Sequence, residues 1–315
     1  MYTPNQKLKE FVQSLAKTET HLHLEGSCPI ELIREANPGQ FDDDPLMWSD
    51  DFRYESFDQF KEMYDQFCAS VFVSAEAYHK CAKIILQNCA DQNVRYVETS
   101  FHVGAVIGGN ISGEEIVDAV LSASPEGMEV RVFMGMCHND YNGPGKKIID
   151  DCISWEKLSG IDLHGPEYWP LEPWTAKVWK SAADAGKFLK AHAGEFMPAS
   201  FVKRCIEELG VRRIQHGVRC IEDPEVVALI KDLDVTLDVC PISNVKLQVE
   251  GITKMSEHPI RKLFDSGVRC TINSDDPFMF GNTLSEEYYA LATDLDFTEE
   301  ELAKIAQNGF DVTIE

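Results

Sequence analysis

Glu19-Thr20-His21-Leu22-His23-Leu24 is a short β-prone run with histidines spaced i, i+2, a spacing that puts both imidazoles on one face of a strand. Three further stretches repeat the theme. His192-Ala193-Gly194-Glu195, Gln215-His216-Gly217 and Ser274-Asp275-Asp276-Pro277 each end a strand-like run with a His or an Asp at its carboxyl end. Parallel α/β barrels gather catalytic groups at that one rim, so the pattern predicts fold and site together. Working outward, β-rich runs alternate with helical periodicity, the mark of βαβ units. Strands are expected at Glu19–Leu24, Arg95–Phe101, Glu129–Cys137, Ile161–Leu163, Phe188–His192, Arg213–Gln215, Val235–Val239 and Arg269–Ile272. Helices are expected at Ala75–Gln92, Gly113–Ser122, Ala199–Leu209 and Pro224–Leu233. Eight strands is the number of a (β/α)8 TIM barrel, read here as a single domain over residues 1–315.

One connection is too long for a simple crossover. The span 25–94 joins the first two strands, whereas about a dozen residues suffice. It carries Trp48, Phe52, Tyr54, Phe57, Phe60, Met63, Tyr64 and Phe67. Beside a barrel rim it reads as a helical insertion forming a lid. The plainer alternative is that these aromatics only pack a helical hairpin onto the barrel.

The 315 residues carry 29 Lys+Arg against 53 Asp+Glu, a formal charge of −24. Such acidity argues against nucleic-acid and anionic-membrane partners, which bind clustered cations, and fits a solvated surface. No apolar run is long enough for a transmembrane helix, and the amino-terminal residues are polar, without a secretory h-region. Ten cysteines lack any Cys-x-x-Cys pair and sit largely in apolar runs, as expected of reduced thiols in a cytoplasmic protein.

The four motifs together supply the parts of a water-activating metal site. Three His nitrogens and one carboxylate, from His21, His23, His192 and Asp275, suit Zn2+, although iron or manganese accept similar ligands. A metal of this kind lowers the pKa of bound water to about 7. Hydrolysis also needs groups that move protons. Glu195 is placed to be a carboxylic acid beside the metal, His216 to orient the attacking oxygen and shuttle its proton, and Asp276 to bond the substrate. Alone, Glu195 reads as a loop carboxylate, His216 as a satisfied half-buried histidine and Asp276 as a turn residue before Pro277. Of the other histidines, His79, His164 and His258 join no such set, while His102 and His138 stand out because they follow the second and third strands.

Thr20-His-Leu-His-Leu-Glu-Gly-Ser27, His192-Ala-Gly-Glu195, Gln215-His-Gly217, Cys240-Pro-Ile-Ser-Asn244 and Asn273-Ser-Asp-Asp-Pro277 resemble, in order and over nearly the whole chain, the motifs of the adenosine deaminase family of amidohydrolases. The resemblance implies one zinc ion per subunit on His21, His23, His192 and Asp275, and replacement of a purine 6-amino group by oxygen with release of ammonia. It implies that Glu195 protonates ring N1, that His216 assists the attack, and that Asp276 bonds N7. Gly165, in Gly160-Ile-Asp-Leu-His-Gly-Pro-Glu167, matches a glycine whose N–H meets N3, and the 25–94 insertion falls where the family carries gating helices. His23 and Glu25 are expected to line the substrate site. Glu25 departs from the Asp of the family's nucleoside enzymes and resembles members acting on free adenine, whereas the strand 4 motif resembles nucleoside deaminases. The expected partner is thus a small purine nucleoside or base. Adenosine or 2′-deoxyadenosine, giving inosine, is the first expectation, and adenine or a 5′-modified adenosine the alternative. A catalytically silent binding protein is the remaining one, and oligomeric state is not legible.

Overall fold

The computed structural model describes residues 4–109 and 111–314. Met1–Thr3, part of the polar amino-terminal stretch, lie outside them. Eight parallel strands run in the order β1 to β8: Lys17–His23, Val94–His102, Glu129–Met136, Gly160–Leu163, Phe188–Ala193, Arg213–His216, Thr236–Val239 and Arg269–Ile272. With helices in the crossovers, this is a (β/α)8 TIM barrel. All eight strands lie within two residues of the positions expected from sequence.

The sheet closes at the functional rim. Past the end of β8, Asp275 donates its N–H to the His21 carbonyl at 3.1 Å and accepts the His23 N–H at 2.9 Å. This short bridge joins the last strand to the first, between motifs that both carry predicted ligands.

The barrel interior is unusually polar. Side chains that point inward on parallel strands are normally bulky and branched. Here Lys190 lies 2.5 Å from Glu98 and Arg213 lies 2.8 Å from Asp238 and 3.3 Å from Glu98. Asp238 also accepts from the Thr20 and Thr271 hydroxyls and from Gln215. Charges taken out of water persist only when partnered this completely. The apolar core lies outside the strands, between sheet and helices, and all ten cysteines are free thiols; eight of them lie in that core, while the buried Cys240 lies against His21.

The long first connection divides differently from expectation. Helix Ala75–Asp91, capped by Ser74, packs on β2 and on the following crossover helix Gly113–Leu121, so it is the barrel's own crossover helix. The inserted part is therefore 25–74, with helices Ile30–Ala36 and Phe57–Cys68. In the second of these, Phe57, Phe60, Tyr64 and Phe67 recur at helical spacing and form the face laid on the barrel. Phe60 stacks on Phe280 with ring centroids 5.5 Å apart, and Phe57 meets Phe196 at 5.3 Å. Trp48 and Tyr54 donate to the Phe278 and Met279 carbonyls, and Lys246 to the Met47 carbonyl. The aromatics thus both pack and cover: they bind the insertion to the loops after β5, β7 and β8. No helix among the described residues is long and apolar enough to cross a membrane.

Lys190→Met should leave the buried Glu98 carboxylate short of a cation and cost about 3–5 kcal/mol in urea unfolding. Lys80→Met, which removes an exposed pair with Glu35, should cost less than about 1 kcal/mol by the same measurement.

Candidate active site

The predicted ligands converge. His21 Nε2 and His23 Nε2 each lie 3.1 Å from His192 Nε2, and 3.2 and 3.3 Å from Asp275 Oδ1. Tetrahedral zinc with bonds of about 2.0–2.1 Å would space its ligand atoms by about 3.3 Å. The other ring nitrogens decide which lone pairs face the centre. His21 Nδ1 lies 3.0 Å from the Asp238 carbonyl and His192 Nδ1 lies 3.0 Å from the Leu163 carbonyl. A carbonyl only accepts, so both Nδ1 atoms carry the proton and both Nε2 atoms present a lone pair. His23 Nδ1 has the Ser100 hydroxyl at 3.1 Å. Lone pairs aimed at one point repel each other unless a cation lies between them. The donor set therefore fits a single bound metal ion.

Backbone strain sits at the same rim. His216 and Asp275 adopt φ of 63° and 66°, and Gly194 and Gly217 adopt 74° and 71°. A left-handed conformation costs a residue with a side chain about 1–3 kcal/mol, and such residues cluster where geometry serves a site.

Glu195 is buried, and burial, followed by the charges of Asp275, Glu167 and Asp276, raises its carboxyl well above the ordinary range. It is held at Oε1 by the Asn244 amide at 3.3 Å, with His216 Nε2 at 3.5 Å. Its loop is fixed by Glu167, whose carboxylate accepts from the N–H groups of Gly194, Glu195, Phe196 and Met197. Burial pushes the Glu167 carboxyl up to about 7, while those four donors pull it down.

A chain of hydrogen bonds fixes the His216 tautomer. The Ile260 N–H donates to His258 Nδ1 at 3.2 Å, so the His258 proton lies on Nε2, 3.1 Å from Asn244 Oδ1. Asn244 then turns its NH2 to Glu195 and to His216 Nδ1, 3.1 Å away. His216 consequently presents Nε2–H toward Glu195 and, at 3.9 Å, Asp275. It is a donor at rest, which suits orienting an attacking oxygen. Ser243 completes the set by donating to Asp275 Oδ2 at 2.6 Å.

Asp276 lies where only a glycine neighbour admits it: a Cβ on Gly26 would come within 1.6 Å of Asp276 Oδ1. That oxygen is buried and has no hydrogen-bond partner among the described residues, and burial raises the carboxyl well above its usual value. A neutral Asp276 can donate to a ring nitrogen. Glu25, also buried and raised by burial, accepts from the Tyr78 hydroxyl at 2.7 Å and the His102 N–H at 3.2 Å. Gly165 follows β4 beneath the inserted helix, and a Cβ there would lie 3.3 Å from the Phe57 ring.

The sequence-predicted residues thus share one rim. His164 and His258 correct the expectation that they stand apart: His164 lies against the metal cluster, its ring centroid 4.7 Å from His23 and 5.0 Å from His192, and His258 anchors Asn244. His138, which stood out by position, turns instead to the Pro170 carbonyl. Glu167 and Asn244 lie within the sequence motifs with no expected role, and the structure shows both buried and holding Glu195, one at its backbone and one at its side chain.

The family model for adenosine deaminase matches residues 16–314. An adenine deaminase of Wolinella succinogenes is 32% identical over 315 residues, covering 96% of this chain and 94% of the relative. The crystal structure of adenine deaminase from Arthrobacter aurescens superposes with a TM-score of 0.85 at 27% identity, covering 96% of this chain and 94% of that one. An amidohydrolase from Burkholderia ambifaria with bound zinc shares the fold, with a TM-score of 0.81 at 20% identity over 99% of this chain and 90% of that one. With a matching family model, strands and polar rim in one register, this chain belongs to the adenosine deaminase family.

Proposed function

We propose that the chain hydrolyses free adenine to hypoxanthine and ammonia. The first expectation from sequence was adenosine, but the relatives named adenine deaminase, similar over almost the whole length, support the alternative. One observation in this structure carries the choice. Glu25, the residue that departs from the nucleoside enzymes, is bonded by Tyr78 and the His102 N–H, and so is engaged by the protein instead of being left for a sugar hydroxyl.

Zinc on His21, His23, His192 and Asp275 would act as Lewis acid toward the attacking water. The chain's own groups perform the remaining work. Addition of water at C6 places charge on the ring, and the neutral Glu195 gives a proton to N1. Asp276, with its unpartnered Oδ1, bonds N7, and the Gly165 N–H meets N3. His216 directs Nε2–H to the incoming oxygen. Glu195, a carboxylate once it has protonated N1, takes up one proton of the attacking water, and the other passes to the 6-amino group; the C6–N bond then breaks, ammonia leaves and C6 keeps the oxygen as a carbonyl. The insertion over the rim excludes bulk water, which strengthens each of these interactions.

Zinc-loaded protein should convert adenine to hypoxanthine, followed by ultraviolet absorbance and ammonia release, with kcat/KM exceeding that for adenosine or AMP. A metal-replete protein inert toward adenine, or one that prefers adenosine, overturns the reading. Glu195→Gln should keep its metal by elemental analysis yet lose about 10²–10⁴-fold in kcat, the usual worth of a positioned acid. Because Glu195 must be protonated and its carboxyl is raised, kcat/KM should fall on the alkaline side as that proton is lost, and chelation should abolish turnover reversibly.

A further inference from the structure

His164 follows β4 directly and precedes Gly165. Its ring fills space left by Gly135 on β3, where a Cβ would come within 1.9 Å of it. Around it stand His23, His192 and His102, with centroids at 4.7, 5.0 and 5.7 Å, and the side chain is only 11% exposed. Nevertheless neither ring nitrogen makes a hydrogen bond among the described residues. Nε2 is buried without a partner, and the nearest carboxylate oxygen, Asp162 Oδ2, is 3.7 Å away. An unsatisfied imidazole in a nearly closed cleft is costly unless a ligand supplies its partner.

The wall behind this ring is built and fully bonded. Gly104 donates its N–H to His102 Nδ1 at 3.0 Å, so His102 carries its proton on Nε2, 3.3 Å from Cys137 Sγ and 3.4 Å from Asp140. Cys137 accepts no metal role in that arrangement: its N–H goes to Asp140 and its thiol to the Gly165 carbonyl. These groups hold the Gly165 loop, and beside them the His164 ring stands unpartnered among the described residues.

From this geometry we infer that His164 is the residue that selects a free base, its imidazole accepting the N9–H of adenine and occupying the space an N9-linked sugar would need. The inference rests on the adenine reading above. N3 and N9 are both attached to C4, so a purine whose N3 meets the Gly165 N–H carries N9 beside that loop, where of the two residues flanking Gly165 His164 has a side-chain acceptor and Pro166 has none. A neutral imidazole nitrogen accepts from N9–H. A nucleoside offers carbon at N9, which leaves the imidazole unpartnered and presses the sugar against the wall of His102 and Cys137.

The test compares kcat/KM for adenine, 9-methyladenine and adenosine in the zinc-loaded wild type, His164→Ala and His164→Phe, with metal content measured in each. The wild type should strongly prefer adenine. His164→Ala should bind its metal normally, lose rate on adenine and gain on 9-methyladenine, narrowing their ratio by about 10- to 100-fold, the worth of one buried hydrogen bond. His164→Phe, which keeps the ring and loses the acceptor, should slow adenine while still excluding adenosine. A wild type that prefers adenine, with a ratio unchanged in both variants, overturns the role of His164 alone. A wild type that prefers adenosine overturns the adenine reading and this inference with it.

Discussion

The Nε2 lone pairs of His21 and His192, aimed with His23 Nε2 and the Asp275 carboxylate at one point, form the constraint on which the rest of the site depends. The aim is set from behind, by the Asp238 and Leu163 carbonyls and the Ser100 hydroxyl, each on a different strand or its end. It is completed from the side by Asp275, whose own N–H and carbonyl close the barrel on β1. Closing the sheet and placing the fourth ligand are therefore one event. A loose barrel seam would misplace the carboxylate, which links fold stability to metal affinity.

The protons are organised by the same logic of donors that can only donate and acceptors that can only accept. From the Ile260 N–H the direction of every bond through His258 and Asn244 to His216 and Glu195 is determined. Glu167 does for the Glu195 backbone what Asn244 does for its side chain. Beneath them, Asp238 belongs to both layers: its carboxylate pairs in the floor of Lys190, Glu98 and Arg213, and its backbone carbonyl orients His21. Polar interiors are costly, and this one persists because its charges are paired with one another.

Much of this was legible in the chain. His21, His23, His192, Glu195, His216, Asp275 and Asp276 stand at strand ends because a parallel barrel exposes only those ends to substrate, so fold and site share one sequence signal. What escaped depends on contacts between distant segments. Nothing in Leu24-Glu25-Gly26 says that Gly26 makes room for Asp276, nor in Met134-Gly135-Met136 that Gly135 admits the His164 ring. The helix Ala75–Asp91 has the same periodicity whether it belongs to a lid or to the barrel, so periodicity alone does not end the insertion before it. The substrate remained open for the same reason: the partner of Glu25 is Tyr78, from another helix.

The most direct measurement is a crystal structure of the zinc-loaded chain with hypoxanthine, recorded with anomalous scattering at the zinc edge. The account predicts one ion equidistant from Nε2 of His21, His23 and His192 and bonded to Asp275, with the purine C6 edge facing it, N1 at Glu195, N7 at Asp276 and N9 at His164. An ion bound elsewhere, or a purine seated with C6 turned away from the ion, would contradict it.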